Sequence, residues 1–353
     1  RRSVLGLTSI VVPDSAGGDS GGVCPSSNGA SVYTTPPLDP GRALAGMLPR
    51  SESCQDAGAA AGVPGGDRPA MATDDWDSAF HTDLDPREDY AGYLRLDRLL
   101  AAQRPLSDPP HHDEMLFVIQ HQVAELWFKL TIHELEAAMA AIRGDDLARA
   151  AKILARVKQV QHQLYSQWDV LDTLTPSEYA EFRHVFGQAS GFQSPQYRLV
   201  EFMLGNKDPA KIKVFARHEE WHRRLRAALE APSIFDEFLR HLARIGLPVP
   251  RDAVERDFTE PREPDDRVVA ALSAIYTQPE RYWQAYELAE ALMDVSNNFQ
   301  FWRYHHLKTV ERIIGHKRGS GGTSGVSFLK RALDYDFFPE LIRVRTELAD
   351  RTQ

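Results

Sequence analysis

"HHDEMLFVIQHQVAELWFKLTIHELEAAMAAIRG" (residues 111–144) decides the fold. Its apolar residues recur at three- and four-residue intervals, the spacing of one helix face. The spacing predicts a helix from about Asp113 to Arg143, with Leu116, Ile119, Val123 and Leu130 as its main apolar stripe. The next stretch, "DDLARAAKILARVKQVQHQLYSQWDVLDTL" (145–174), predicts a second long helix. "TPSEYAEFRHVFG" (175–187) opens with a capping box: Thr175 as cap, Pro176 at the first helical position, Glu178 at the third, and Gly187 as the stop. Residues from about Gln278 to Gly315 read as one helix of about 38 residues. Alternation of the strand kind is sustained nowhere. The expected fold class is all-α, a bundle of long helices.

The first 70 residues are of another kind. They hold 12 of the 23 glycines and 8 of the 22 prolines, and no tryptophan. Such a segment buries too little apolar surface to offset its ordering entropy. Residues 1–72 are therefore expected to be a disordered tail or leader, and 73–353 the functional domain. Met71 is the expected natural start, with the stretch before it a translated leader or an added segment. The opening "RRSVLGLTSIVVPDS" is closed by Pro13 and Asp14 without a small-residue cleavage site, so the expected location is cytoplasmic. No apolar run reaches the length of a bilayer span.

A net charge of −9 argues against a partner as anionic as nucleic acid. The two cysteines, Cys24 and Cys54, both lie in the tail. From Gln55 onward a thiolate metal site, an iron–sulfur cluster or a cysteine nucleophile is excluded. Any metal in the body must be held by histidine and carboxylate.

The 13 histidines are therefore the residues to sort. "HEEWH" (218–222) satisfies the zinc-protease pattern, two histidines one turn apart around a glutamate. Three fixed letters recur by chance, no further ligand follows, and Arg217, Arg223 and Arg224 make the segment a solvated face. His305 and His306 are adjacent. On a helix His306 shares a face with Trp302, Thr309, Val310 and Ile313, and His305 with Phe301, Lys308 and Arg312. His306 is expected to point inward. Periodicity alone still leaves a packed core histidine as the commoner reading. His121, bordered by Phe117 and Phe128, suits a flat apolar pocket or simply a core. "GHKRGSGGTSGV" (315–326) is not a Walker loop, since a helix precedes it. Its glycines and hydroxyls suit a mobile lid or a plain linker.

Three blocks carry a resemblance: "HHDEMLFVIQHQVAELWFKL", "TPSEYAEFRHVFGQASGFQSPQYRLVEFMLGNK" and "FWRYHHLKTVERIIGHKRGSGGTSGVSFL". Together they resemble the bacterial branch of the tryptophan 2,3-dioxygenase family, from about His81 to about Leu348. The resemblance implies an all-α homotetramer that uses haem b, ferrous when active, and O2 to open the indole C2–C3 bond of L-tryptophan, giving N-formyl-L-kynurenine. It implies His306 as the axial iron ligand and Ser190 and Gly191 beside the haem. It implies His121 as the histidine near the indole N–H, within a substrate-lining run of Phe117, Val118, Ile119, Gln120 and His121. Arg183 and Tyr179 are implied to hold the amino-acid carboxylate, and Ser320 the amino-acid end. Tyr90 and Tyr93 are implied to reach a neighbouring subunit's pocket.

Three positions depart from the family pattern: Ser320 stands for threonine, His316 for an aromatic, and His305 for arginine. An alternative within the superfamily is a haem monooxygenase acting on a modified indole. Outside it stand a zinc hydrolase using HEEWH and a non-catalytic haem sensor.

Overall fold

The computed structural model describes residues 85, 87, 89–319, 322 and 325–350, and among these there is no strand. The tail and its expected boundary at residue 72/73, the start at Met71, and Ser320 lie outside the described residues. Contacts group residues 80–353 as one compact unit.

Two short helices come first, α1 (Tyr90–Leu94) and α2 (Leu96–Leu99). Then α3 (Glu114–Arg143) and α4 (Leu147–Ser166) form an antiparallel pair, followed by the single turn α5 (Trp168–Leu171). The helix α6 (Pro176–Phe182) runs into a 3-10 turn, Arg183–Phe186. Next come α7 (Pro195–Leu204), α8 (Glu219–Glu230), α9 (Ile234–Arg244), α10 (Arg251–Val254) and α11 (Asp266–Thr277). The chain ends with α12 (Trp283–Ile314), α13 (Val326–Leu333) and α14 (Pro339–Asp350).

Helix α4 packs against both α3 and α12, so these three form the centre of the bundle. Helices α7 and α9 lie on α3, α13 lies on α12, and α11 pairs with α14. The core runs through Phe128, Ile132, Leu135 and Ile142 of α3, Leu154 and Val157 of α4, and Leu288, Leu292 and Val295 of α12. Full burial of each such side chain contributes roughly 1.5–3 kcal/mol.

The expected stripe on α3 holds in part. Leu116 and Leu130 pack against the core, but Ile119 is 44% exposed. The buried face is set by the C-terminal half of the helix, where two other helices cover it. The N-terminal half turns Met115, Ile119 and Leu126 outward. The helix expected over 278–315 is also shorter. Its first turn is lost because α11 ends at Thr277 and the chain turns through Gln278–Tyr282, where Pro279 sits.

Two polar devices fix what the core leaves free. The α3–α4 turn places Asp145 at a φ of 61°, a left-handed conformation that a non-glycine residue adopts at a cost. Arg244 and His241 of α9 meet its carboxylate, each at 2.7 Å. Inside the bundle, buried Glu201 of α7 accepts from Arg198 and from Arg303 of α12, the latter at 3.4 Å. Arg303 also donates to the Tyr335 carbonyl at 3.0 Å. This network fixes the rotation of α12 three residues before His306.

The capping box of α6 forms as the sequence dictates. The Thr175 hydroxyl accepts from the Glu178 N–H, and the Glu178 carboxylate accepts from the Thr175 N–H at 2.8 Å. Thr175→Ala should cost about 1 kcal/mol, the usual value of an N-cap, read as a lower urea midpoint with unchanged slope.

Candidate active site

Helix α3 places Phe117 and His121 one turn apart on one face. The Nδ1 of His121 lies 2.7 Å from the Phe117 carbonyl oxygen. A carbonyl only accepts, so Nδ1 carries the proton and Nε2 keeps its lone pair. Burial lowers the imidazole's pKa, with the Phe117 hydrogen bond and the Glu125 charge opposing. His121 is thus a neutral ring offering one acceptor.

His306 sits on the inner side of α12. Trp302, Thr309 and Ile313 on its face are buried, while Phe301 on the His305 face is 54% exposed. Burial first, and the nearby His121 second, push the His306 pKa down to about 4. Both imidazoles keep part of their surface open although protein surrounds them. That combination makes the space beside the two rings the candidate cleft.

The wall of this cleft is aromatic. The Phe117 ring lies 4.2 Å from that of His121 and stacks on Phe186 at 4.5 Å. Tyr179 and Phe182 close around it at 5.9 and 6.0 Å. Tyr179 and Arg183 come from α6 and its end, four residues apart. Burial raises the Tyr179 pKa, and the Arg183 charge opposes this. The Arg183 guanidinium donates through Nη2 to the backbone carbonyl of Arg318 in the glycine-rich loop. The base of that loop is pinned at Gly325, whose φ is 56°. A Cβ there would stand 2.7 Å from the Lys317 carbonyl, so only glycine fits.

Phe117, His121, Tyr179, Arg183 and His306 are thus drawn to one region. Of the intervening run, Gln120 is buried, Val118 is half-buried and Ile119 faces outward, so Ile119 does not join the cleft within one chain. Ser190 caps a short 3-10 turn, accepting from the Phe192 N–H at 3.4 Å. A Cβ on Gly191 would meet no atom within 4 Å, so the backbone there presents an open face. Tyr90 and Tyr93 on α1 are 76% and 81% exposed. His305 leans on Tyr165, with ring centroids 5.8 Å apart.

Sequence reasoning missed Phe182, Phe186 and Trp168. The first two follow from continuing the period of α6 past Tyr179. Trp168 lies face to face with His306, their centroids 4.9 Å apart and their planes 7° from parallel. Local pattern gives no sign of that pairing.

The HEEWH segment does not assemble a metal site. His218 is the N-cap of α8, with φ −114° and ψ 82°, so it lies outside the helical face that the pattern requires. Among the described residues no group of three or more histidine, cysteine or acidic side chains is arranged to hold a metal ion. Two hollows share no residue with this aromatic cluster. One of about 190 Å³ lies beside Tyr335 and Phe337, and one of about 340 Å³ between α3, α7 and α8.

Known proteins match this chain along nearly all of its helical body. The family profile described as Tryptophan 2,3-dioxygenase matches residues 77–230 and 230–348. The chain is 56% identical over 272 residues to a tryptophan 2,3-dioxygenase of Serratia proteamaculans, covering 77% of this chain and 97% of that one. It is 54% identical over 274 residues to those of Xanthomonas euvesicatoria and Xanthomonas campestris, covering 78% of this chain and 92% of each.

Proposed function

Because this chain belongs to the tryptophan 2,3-dioxygenase family, we propose that it inserts both atoms of O2 across the indole C2–C3 bond of L-tryptophan. The product is N-formyl-L-kynurenine, the first intermediate of tryptophan catabolism by this route. The family match carries the reading, supported by two imidazoles from different helices, His121 in an aromatic cluster and His306 near it, with Tyr179 and Arg183 at the cluster's edge.

The residues present fit haem b. His306 offers a neutral imidazole with no hydrogen bond to either ring nitrogen among the described residues. Among the buried polar atoms without a protein partner are the indole N–H groups of Trp168 and Trp302, whose rings pack on His306, and the Thr309 hydroxyl one turn along α12. Orphaned groups of this kind ordinarily have an explanation in a missing partner. His306 would hold the iron, and Ser190 and the open backbone face of Gly191 would lie against the macrocycle. When bound, ferrous haem supplies the activation of O2.

The chain's own residues bind and orient the substrate. Phe117, backed by Phe186, offers a flat face to the indole. The Nε2 of His121 accepts the indole N–H. Arg183 presents a planar pair of donors to the carboxylate, with the Tyr179 hydroxyl beside it. Ser320 is proposed to meet the amino-acid end. The aromatic wall excludes water from the reacting bond.

The exposed Tyr90 and Tyr93, together with outward Met115, Ile119 and Leu126, support a homotetramer in which the α1–α2 arm meets another subunit. No helix among the described residues is long and apolar enough to cross a membrane. We read the enzyme as cytoplasmic.

The decisive experiment is mass spectrometry of the product from the ferrous protein, L-tryptophan and ¹⁸O2. Two labelled oxygen atoms in N-formylkynurenine are expected. A single inserted oxygen would favour the monooxygenase reading, and no turnover a sensor. The pH profile gives a second check. Burial disfavours the imidazolium form of His121, so it protonates below its ordinary value of 6.5. The acid limb of kcat/KM should therefore lie below pH 6.5. A limb above that value would mean that His121 is not the buried acceptor.

A further inference from the structure

A metal-bound imidazole usually has its ring plane fixed by a hydrogen bond from its second nitrogen to a carboxylate, a carbonyl or water. No protein group makes such a bond to His306 among the described residues. Any constraint that protein groups place on the ring therefore comes from packing. The χ2 torsion of histidine is a broad sp³–sp² rotor, so an unrestrained ring would swing.

What meets the ring is Trp168. Its indole is parallel to the imidazole within 7° at 4.9 Å, and Trp302 packs from the side at 5.5 Å and 41°. Trp168 is 6% exposed and is itself held by Trp302 at 6.0 Å. It stands at the start of α5, the one-turn helix packed against α3, α4 and α12. Toward His306 it presents its broad flat face.

We propose that Trp168 is a positioning residue that sets the rotation of the His306 imidazole by face-to-face stacking. The proposal rests on the reading of His306 as the iron ligand. It makes α5 part of the proximal side of the site.

The test uses the haem-loaded full chain and its Trp168→Phe and Trp168→Leu variants. Resonance Raman of the ferrous form reads the iron–histidine stretch, and transfer to excess apomyoglobin reads haem release. Trp168→Leu should broaden and shift the stretch and speed haem loss by about tenfold or more, the usual scale for removing a ligand's supporting contact. Trp168→Phe keeps an aromatic face and should stay near the parent on both. A leucine variant with the parent's band and release rate would overturn the proposal. So would a phenylalanine variant displaced as far as leucine, since volume or the N–H would then be the cause. Should both variants misfold, the haem-free parent labelled at histidine serves instead. The His306 ring protons must show an upfield ring-current shift in NMR, and its absence overturns the stack. A parent protein without a Soret band would sink the haem reading itself, which separates the two failures.

Discussion

His306→Ala should yield a folded chain that no longer retains haem, with the Soret band lost after gel filtration and tryptophan turnover abolished. The reason is singular. The body of the chain has no thiolate, and His306 is the imidazole that combines an inward helix face with a pKa pushed down to about 4. A ring held neutral is ready to coordinate without first losing a proton. His305→Ala should keep both haem and activity, since that side chain leans on Tyr165 at the outer face. The reverse pattern would overturn the assignment of the two faces. The fold should survive His306→Ala because the ring is not part of the main core, and an unchanged helical circular dichroism signal would check this.

The second large effect is at Arg183. Arg183→Lys keeps the charge but removes the planar pair of donors that matches a carboxylate. KM for L-tryptophan should rise by very roughly tenfold or more, with a smaller change in kcat. The separation of KM from kcat matters, because a misplaced indole would lower kcat as well. Steady-state constants equal to the parent's would reject the role. Ser320 offers a gentler companion test: Ser320→Ala should weaken tryptophan binding by about 1 kcal/mol, the net value of one hydrogen bond. Titration of the ferric protein by its Soret shift reads it directly.

Much of this architecture was legible in the amino-acid order. The capping box of α6 is a local signal that starts the helix carrying Tyr179, whereas Arg183, read on the same helix, opens the 3-10 turn that follows Phe182. The inward turn of His306 followed from the period of α12 alone. What periodicity could not give was the phase of a face whose cover comes from elsewhere. On α3 the buried side is decided by α4, α7 and α9, and its N-terminal half is left with an apolar exterior that reads as core. The helix read from about Gln278 starts at Trp283 instead, because Gln278–Tyr282 is a mostly polar stretch that carries Pro279. Trp168 was invisible for a different reason. Its partner lies 138 positions further along the chain, and no local rule connects them.

The hydrogen bond from Arg183 to the Arg318 carbonyl alters what a binding measurement on this enzyme reports. One donor of the guanidinium is already engaged by the protein, so a carboxylate that takes up that edge of the fork displaces a resident acceptor. Its observed affinity is the difference between the two bonds. Ligands without a carboxylate, such as plain indole, leave the resident bond intact and bear no such exchange. The affinity gap between tryptophan and indole therefore understates the strength of the arginine–carboxylate contact. Loop substitutions that shift the Arg318 carbonyl away from Arg183 should widen the gap without replacing a side chain that meets the substrate.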